Sequence, residues 1–387
     1  MTAVLAGRAA EAVSGAQDLL TRRLGAPVGL TDPVELGVGR TTVLRVRVMD
    51  GAFALPRTVI VKQVSDTMPD PRDTPARSAF LRASAESAFL RETASYLFAN
   101  ALPKAQRPGP DLLAHDVESR LLILTDLGEQ DRLSRLLRTS DERVVANLLM
   151  AYAQALGRLH AATVGREADF AALLRRVGAR HRIGDLAQQA QLALAELPGA
   201  LHRTLGVSVP DSVTDAVGTA MHLFDGGRFR AFSPFDLCPE NVIVNDDGVR
   251  FLDYEWGGYR DAMLDLSYAF VPYPRCLCDH RLGTDRAQAM IEAWRAEVVG
   301  AWPELADDHL LAVKVLQARL AWVWLSTHWL LSADDEQVAD VRGHSLSIPR
   351  STAMVERWST LATEASRTGA VSLAAFALSV VEAFTIL

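Results

Sequence analysis

The sequence predicts an α+β protein in two lobes, a smaller one built on an antiparallel sheet with a helix and a larger one that is mainly helical. Three observations predict it. Strand-length runs rich in β-branched residues cluster before residue 128, at 28–48, 58–64 and 111–124. Apolar residues at helical spacing dominate from residue 144 onward. One hairpin pattern, at 241–253, interrupts that helical part. The 387 residues suffice for two or three domains, or for two lobes sharing a cleft, and a 49% hydrophobic content suffices for a sizeable core.

Composition narrows the function classes. A net charge of −7 with no Lys/Arg cluster argues against a nucleic-acid partner. No uninterrupted apolar stretch reaches about 18 residues, so no membrane span is expected. The N-terminal segment lacks a compact apolar core and reads as an amphipathic helix instead of a signal peptide, which makes a cytoplasmic location the expectation. Charge is uneven: residues 1–128 hold 15 basic and 14 acidic side chains, the remainder 25 and 33. An acidic second lobe suits a cationic acceptor, or is ordinary solvated surface. The three cysteines make no disulfide framework. Cys238, Cys276 and Cys278, with His280, are either a set of the kind zinc accepts or small buried apolar residues.

Taken in order, residues 3–24 carry apolar positions close to a 3.6-residue period and read as a helix. Two strands follow within Val28–Val48, separated by a turn holding Gly37 and Gly39. Such glycines let a backbone approach phosphates and lend them amide donors, although glycine pairs also simply make hairpin turns. Thr58–Val64 reads as a strand with Lys62 in its middle, an outward-pointing charge on the plainest reading. Ser65–Arg77 is rich in Asp, Pro and Arg and reads as a mobile loop, and Ser84–Asn100 as a helix bearing Glu86 and Glu92. A second hairpin spans Asp111–Val117 and Arg120–Leu124, and Thr125, Asp126 and Leu127 lead out of it.

Val144–Ala162 is an amphipathic helix whose His160 reads as a core histidine, and helical patterns continue through 168–199 and 211–225. A short strand, Arg230–Ser233, enters the stretch with the densest chemistry. There Asp236 precedes Asn241 by five residues, an Asp-Gly turn joins two apolar runs, and the second run ends at Asp253. A hairpin of this kind sets Asn241 at the start of one strand and Asp253 at the end of the other. A carboxylate and an amide oxygen converging there can hold magnesium on a nucleotide's phosphates, while Asp236 accepts a proton from an attacking hydroxyl. Glu255 either adds a carboxylate to the metal site or faces solvent. Only about ten residues separate Asp253 from the next helix, and Asp265 falls within that helix. Residues 284–387 read as almost entirely helical. Trp322, Trp324 and Trp329 are either core or the lining of an amine-binding surface, and Ala370–Leu387 is apolar nearly all round, hence buried or a homodimer contact.

These residues, in this order, resemble the aminoglycoside phosphotransferase and choline kinase group, small-molecule kinases with a bilobal, protein-kinase-like fold. The likeness spans roughly residues 30–270. It implies that Gly37 and Gly39 cover the phosphates, that Lys62 reaches the α- and β-phosphates, and that Glu92, or Glu86 in another helix register, orients Lys62. It further implies that Thr125, Asp126 and Leu127 form the hinge that meets adenine, and that Asn241 and Asp253 hold Mg2+. Asp236 then serves the acceptor hydroxyl, and Asp265 is a buried aspartate bonded to backbone amides of the catalytic loop. Pro234 departs from the pattern, standing where the family has a loop-supporting histidine, and Phe235 follows where glycine is common. The implied lobes are 1–128, a core at 129–283 and a helical substrate-side subdomain at 284–387. The implied activity is transfer of the γ-phosphoryl group of ATP or GTP to a hydroxyl of a small molecule, an aminoglycoside-like compound or amino-alcohol. The other reading, motivated by Pro234, is a kinase-like nucleotide-binding or regulatory protein with little transfer activity.

Overall fold

The structure, a computed structural model, describes residues 2–36, 41–49, 55–64, 75–128, 131–179, 186–268, 271, 283–332 and 349–386, without the side chains of 2–6, 75–83, Thr284 and Arg350. The chain divides into two compact units. One comprises Met1–Asp131, Ala168–Ile183 and Ile243–Gly258, the other Arg132–Glu167, Gly184–Val242 and Tyr259–Leu387.

The first unit is built on a five-stranded antiparallel sheet. Strands β1 (Leu30–Glu35), β2 (Thr41–Val48), β3 (Thr58–Val64), β4 (Leu112–Asp116) and β5 (Leu121–Thr125) lie in the order β1-β2-β3-β5-β4. Helix α1 (Thr2–Leu24) packs on one face through Ala12, Ala16 and Leu20, against Leu44, Val46, Val59, Val61, Leu121 and Ile123. Successive strand residues point to opposite faces. With Val59 and Val61 buried toward α1, Lys62 is therefore committed to the other side of β3, where helix α2 (Pro75–Asn100) lies.

Helix α2 corrects the expected loop at Ser65–Arg77. Residues 65–74 lie outside the described residues, but Pro75 already opens the helix. Proline suits that first position, because its fixed φ matches the helix and its missing N–H would have no intrahelical partner there. The Ala-, Arg- and Leu-rich residues after it are good helix formers.

In the second unit helix α3 (Leu133–Thr139) leads to α4 (Glu142–Thr163), which is capped by Asp141, whose carboxylate accepts the Val144 amide at 2.9 Å. The helical pattern at 168–199 resolves into α5 (Glu167–Arg176), which apart from Glu167 belongs to the first unit, and α6 (Leu186–Leu205), and α7 (Asp211–Met221) follows. Strand β6 (Arg230–Ser233) pairs with β9 (Gly258–Asp261), a strand the sequence pattern did not reveal because GYRD has no apolar alternation of its own. Between them, in chain order, β7 (Val242–Asn245) and β8 (Gly248–Phe251) form the expected hairpin, which apart from Val242 belongs to the first unit. Helix α8 (Ala262–Tyr268) is wholly buried.

Helices α9 (Thr284–Val298), α10 (Asp308–Ser332), α11 (Arg350–Arg367) and α12 (Val371–Ile386) complete the unit. α10 is long and apolar enough to cross a membrane by length and composition, yet 72% of its apolar window is buried among the other helices. Trp322 and Trp324 are core residues, their indole N–H groups donating to Leu264 O at 2.7 Å and Ala193 O at 3.0 Å. α12 buries Leu373, Phe376, Ala377, Val380 and Phe384 and leaves Val371 and Leu378 exposed.

Gly227 shows how tightly the β9–α8 corner is built. Its φ is +88°, and a Cβ there would lie 2.3 Å from Asp261 Oδ2. That carboxylate accepts the Phe229 and Met263 amides at 3.2 and 3.0 Å, which starts α8. Gly227→Ala is expected to lower stability by about 2–4 kcal/mol, from strain at positive φ and displacement of the cap. Thermal unfolding checks this, with a loss of several degrees in Tm expected.

Candidate active site

In the first unit three charged side chains meet. Lys62 Nζ lies 2.7 Å from Glu92 Oε1 and 2.5 Å from Asp253 Oδ1. Lys62 is only 12% exposed at its side chain and Glu92 1%. The plain reading of Lys62 as an outward-pointing charge is thereby set aside. Glu86 is exposed, whereas Glu92 sits on the buried stretch of α2 with Phe89, Tyr96 and Phe98.

Asp253, two residues beyond β8, has φ +62°. Asp tolerates that left-handed conformation better than most side chains, and strain of this kind concentrates at functional sites. The turn is anchored next door. The Tyr254 ring stacks on Tyr96 of α2 at 4.7 Å between centroids, and the Arg91 guanidinium donates to Gly257 O at 3.3 Å. Gly257 approaches α2 so closely that a Cβ would lie 2.3 Å from Ser95 Oγ. The helix carrying Glu92 and the turn carrying Asp253 are thus packed as one piece around Lys62. Glu255 lies beside them and accepts the Trp256 indole N–H at 3.0 Å.

Burial alone would lower the Lys62 pKa, but Asp253 and then Glu92 outweigh it and hold the ammonium well above its ordinary value. Burial is also the largest influence on Glu92 and lifts its carboxyl to about 7, with Lys62 pulling the other way. A carboxyl whose folded-state pKa exceeds its unfolded value takes up a proton on folding, so its contribution to stability is full below about 4.5 and lost as pH rises through about 7. The stability of the wild type relative to Glu92→Gln should therefore fall across that window and level off above it. Denaturant unfolding of both proteins at pH 4.5–8 reads the difference, and a flat difference would contradict it.

In the second unit Asp236 and Asn241 share one loop. Phe235 precedes Asp236 with φ +73°, its ring buried against Trp322 at 5.7 Å and under the Arg260 guanidinium at 4.6 Å. Asp236 Oδ1 accepts the Cys238 amide and the Tyr268 hydroxyl, both at 3.4 Å. Asn241 Nδ2 donates to Asp236 O at 3.3 Å, so the side-chain acceptor left to a cation is Oδ1. From α4 the Tyr152 hydroxyl donates to Leu237 O at 3.4 Å, and Arg132 donates to the Glu240 carbonyl.

Asp265 does not bond the loop amides directly, as the sequence suggested. Its Oδ1 accepts the Ser233 hydroxyl at 2.6 Å and its Oδ2 lies 3.1 Å from His160 Nε2. Ser233 Oγ in turn accepts the Phe235 amide at 3.0 Å, so the carboxylate reaches the loop through a serine. Ser233 had no signal in the sequence, since serine three residues before an aspartate is common. His160 is buried as expected, yet it is tied to the loop.

Of the two residues suggested for magnesium, Asp253 offers a carboxylate and Asn241 an amide oxygen, hard oxygen donors of the type magnesium prefers. They flank one hairpin, Asn241 directly before β7 and Asp253 just after β8. Among the described residues no cluster of three or more His, Cys, Asp or Glu side chains has metal-binding geometry. Cys238 is buried, while Cys276, Cys278 and His280 lie outside the described residues, as do Gly37 and Gly39.

At the suggested hinge, Thr125 gives its amide to Asp111 O at 2.9 Å, and the Asp126 carboxylate is held by Arg45 of β2 at 2.9 Å and by the Gly128 amide at 3.0 Å. Arg45 also donates to Gly128 O at 2.8 Å. Asp126 thus shapes the turn.

Solved structures similar to this chain include choline and ethanolamine kinases and aminoglycoside phosphotransferases. A choline kinase from Cryptosporidium parvum aligns over 98% of this chain and 100% of its own, at 12% identity and a TM-score of 0.49. A choline/ethanolamine kinase family protein from Mesorhizobium loti covers 91% and 93%, at 13% identity and a TM-score of 0.44. An aminoglycoside phosphotransferase with ADP bound covers 88% and 94%, at 14% identity and a TM-score of 0.43. No protein-family model and no curated protein sequence matches the chain.

Proposed function

We propose that this protein is a phosphotransferase that moves the γ-phosphoryl group of ATP or GTP to a hydroxyl of a small molecule. The observation that carries the reading is Lys62, a nearly buried ammonium held between Glu92 and Asp253. A buried lysine with two carboxylates is costly as mere scaffolding, since an apolar trio of similar volume would be as stable. It is well suited to receiving phosphate oxygens, because the ammonium is already fixed in place and charged.

In this reading Lys62 binds the α- and β-phosphates, Glu92 orients it, and Asn241 and Asp253 hold magnesium, which supplies neutralisation of phosphate charge. Asp236 positions the acceptor hydroxyl and takes up its proton. Gly37, Gly39 and the main chain of Asp126 and Leu127 complete the nucleotide contacts. The acidic excess of the chain after residue 128 favours a cationic acceptor of the amino-alcohol or aminoglycoside kind. A cytoplasmic setting, where nucleoside triphosphate and magnesium are plentiful, suits this chemistry.

Calorimetry with ATP and GTP, with and without magnesium, tests the reading. Magnesium-dependent binding, followed by ADP or GDP release when hydroxyl acceptors are screened, is expected. Absence of binding by either nucleotide under both conditions would overturn it and favour a kinase-like regulatory protein.

A further inference from the structure

We infer that a buried chain of four side chains, Ser233, Asp265, His160 and Trp294, positions the loop bearing Asp236, doing the work that a histidine at Pro234 would otherwise do. The inference rests on the phosphotransferase reading for what the loop is used for, but not for the existence of the chain itself.

The polarity of the chain is fixed by its ends. An indole N–H only donates. Trp294 Nε1 lies 3.0 Å from His160 Nδ1, so Nδ1 is the acceptor and the proton of the neutral ring sits on Nε2. That N–H then donates to Asp265 Oδ2 at 3.1 Å. From the other side the Phe235 amide donates to Ser233 Oγ at 3.0 Å, and the serine spends its single O–H on Asp265 Oδ1 at 2.6 Å. Hydrogen bonds thus converge on one carboxylate from both directions: Ser233 Oγ accepts from the loop and donates to Asp265, while each ring nitrogen of His160 has one role.

All four residues are buried to 1% exposure or less. Buried polar groups are expensive unless satisfied, and a fully satisfied network specifies one arrangement of what it touches. What it touches is the amide of Phe235, the residue held at φ +73° directly before Asp236. A bulky residue in that conformation persists only where its surroundings impose it. Pro234, lacking both an N–H and a polar side chain, offers only its carbonyl, which accepts the Asp236 amide at 3.1 Å, so the side-chain tie to the Phe235 amide comes from Ser233 beside it. The chain also reaches helix α4 through His160 and α9 through Trp294, so the loop is referenced to two long helices that pack against each other. Ser233, His160 and Trp294 are positioning residues and do not touch the reacting atoms.

The test uses Trp294→Phe, Ser233→Ala, His160→Leu and His160→Gln. The glutamine side chain can accept from Trp294 and donate to Asp265, which leucine cannot. Three readouts are compared: kcat at saturating substrates, nucleotide affinity by calorimetry, and hydrogen exchange of the segment 230–242. Trp294→Phe, Ser233→Ala and His160→Leu should lower kcat by about 10- to 100-fold, the range expected when a reacting group is displaced by an ångström or less. Nucleotide affinity should stay within about twofold, and loop exchange should quicken; His160→Gln should restore most of both. A histidine that merely fills space would give leucine and glutamine variants of equal activity, and that result would overturn the inference. So would folded Ser233→Ala and Trp294→Phe proteins with wild-type kcat and loop exchange. If the wild type proves to transfer no phosphoryl group, the exchange experiment still decides whether the chain orders the loop, so failure of the two readings is told apart.

Discussion

Asp253→Asn should reduce phosphoryl transfer by about 10³-fold or more and remove the magnesium dependence of nucleotide binding. The substitution deletes one charge and almost no volume. Asn adopts positive φ as readily as Asp, so the +62° backbone at this position is kept, which Ala would strain. Lys62 loses one of its two negative partners but retains Glu92 at 2.7 Å, and the Asn oxygen can still accept from it, so it stays protonated and the first unit stays folded. A residual, magnesium-independent affinity for nucleotide is expected from Lys62. Calorimetry and an ADP-release assay on the same preparation separate the two effects. Unimpaired, magnesium-dependent turnover in this variant would sink the assignment of Asp253 as a metal ligand.

Asp236→Asn should behave differently. Loss of a positioned proton acceptor costs about 10²- to 10⁴-fold in kcat. Asp236 contributes nothing to nucleotide or metal in this reading, so the affinity for magnesium nucleotide should be unchanged. The amide oxygen of Asn can still accept the Cys238 amide and the Tyr268 hydroxyl, both 3.4 Å from Asp236 Oδ1, so the loop geometry is preserved. A pair of variants of which one loses binding and the other loses only turnover divides metal binding from acceptor activation. Equal loss of nucleotide binding in both would show that Asp236 holds metal or nucleotide instead.

Much of this was legible in the order of residues. Strand β3, with its Val-Ile-Val-Lys alternation, begins and ends where the pattern placed it, because pleat geometry forces a period of two onto any half-buried strand. The β7–β8 hairpin was announced by its Asp-Gly turn, and α1 and α4 by apolar residues at helical spacing. The loop from Asp236 to Asn241 is partly local too, since Asn241 bonds the Asp236 carbonyl five positions back and the Asp236 carboxylate accepts the Cys238 amide two positions on.

Other features depend on which distant segments meet. Glu86 and Glu92 lie six positions apart on one helix, and periodicity alone left both as partners for Lys62; packing of α2 buried one and exposed the other. β9 exists because β6 offers it an edge, not because Gly-Tyr-Arg-Asp prefers to be extended. His160 could be read as a core histidine, which it is, but its bonds to Asp265 and Trp294 cross 105 and 134 residues. No local propensity encodes such a meeting.

Short-range sterics and hydrophobic period therefore set the elements, the hairpin and the candidate Asp and Asn in the chain itself. The pairing of Lys62 with Glu92 and Asp253, and the route from Asp265 through Ser233 to the loop, were decided only in the folded protein. A buried polar group must find its partner wherever packing brings one.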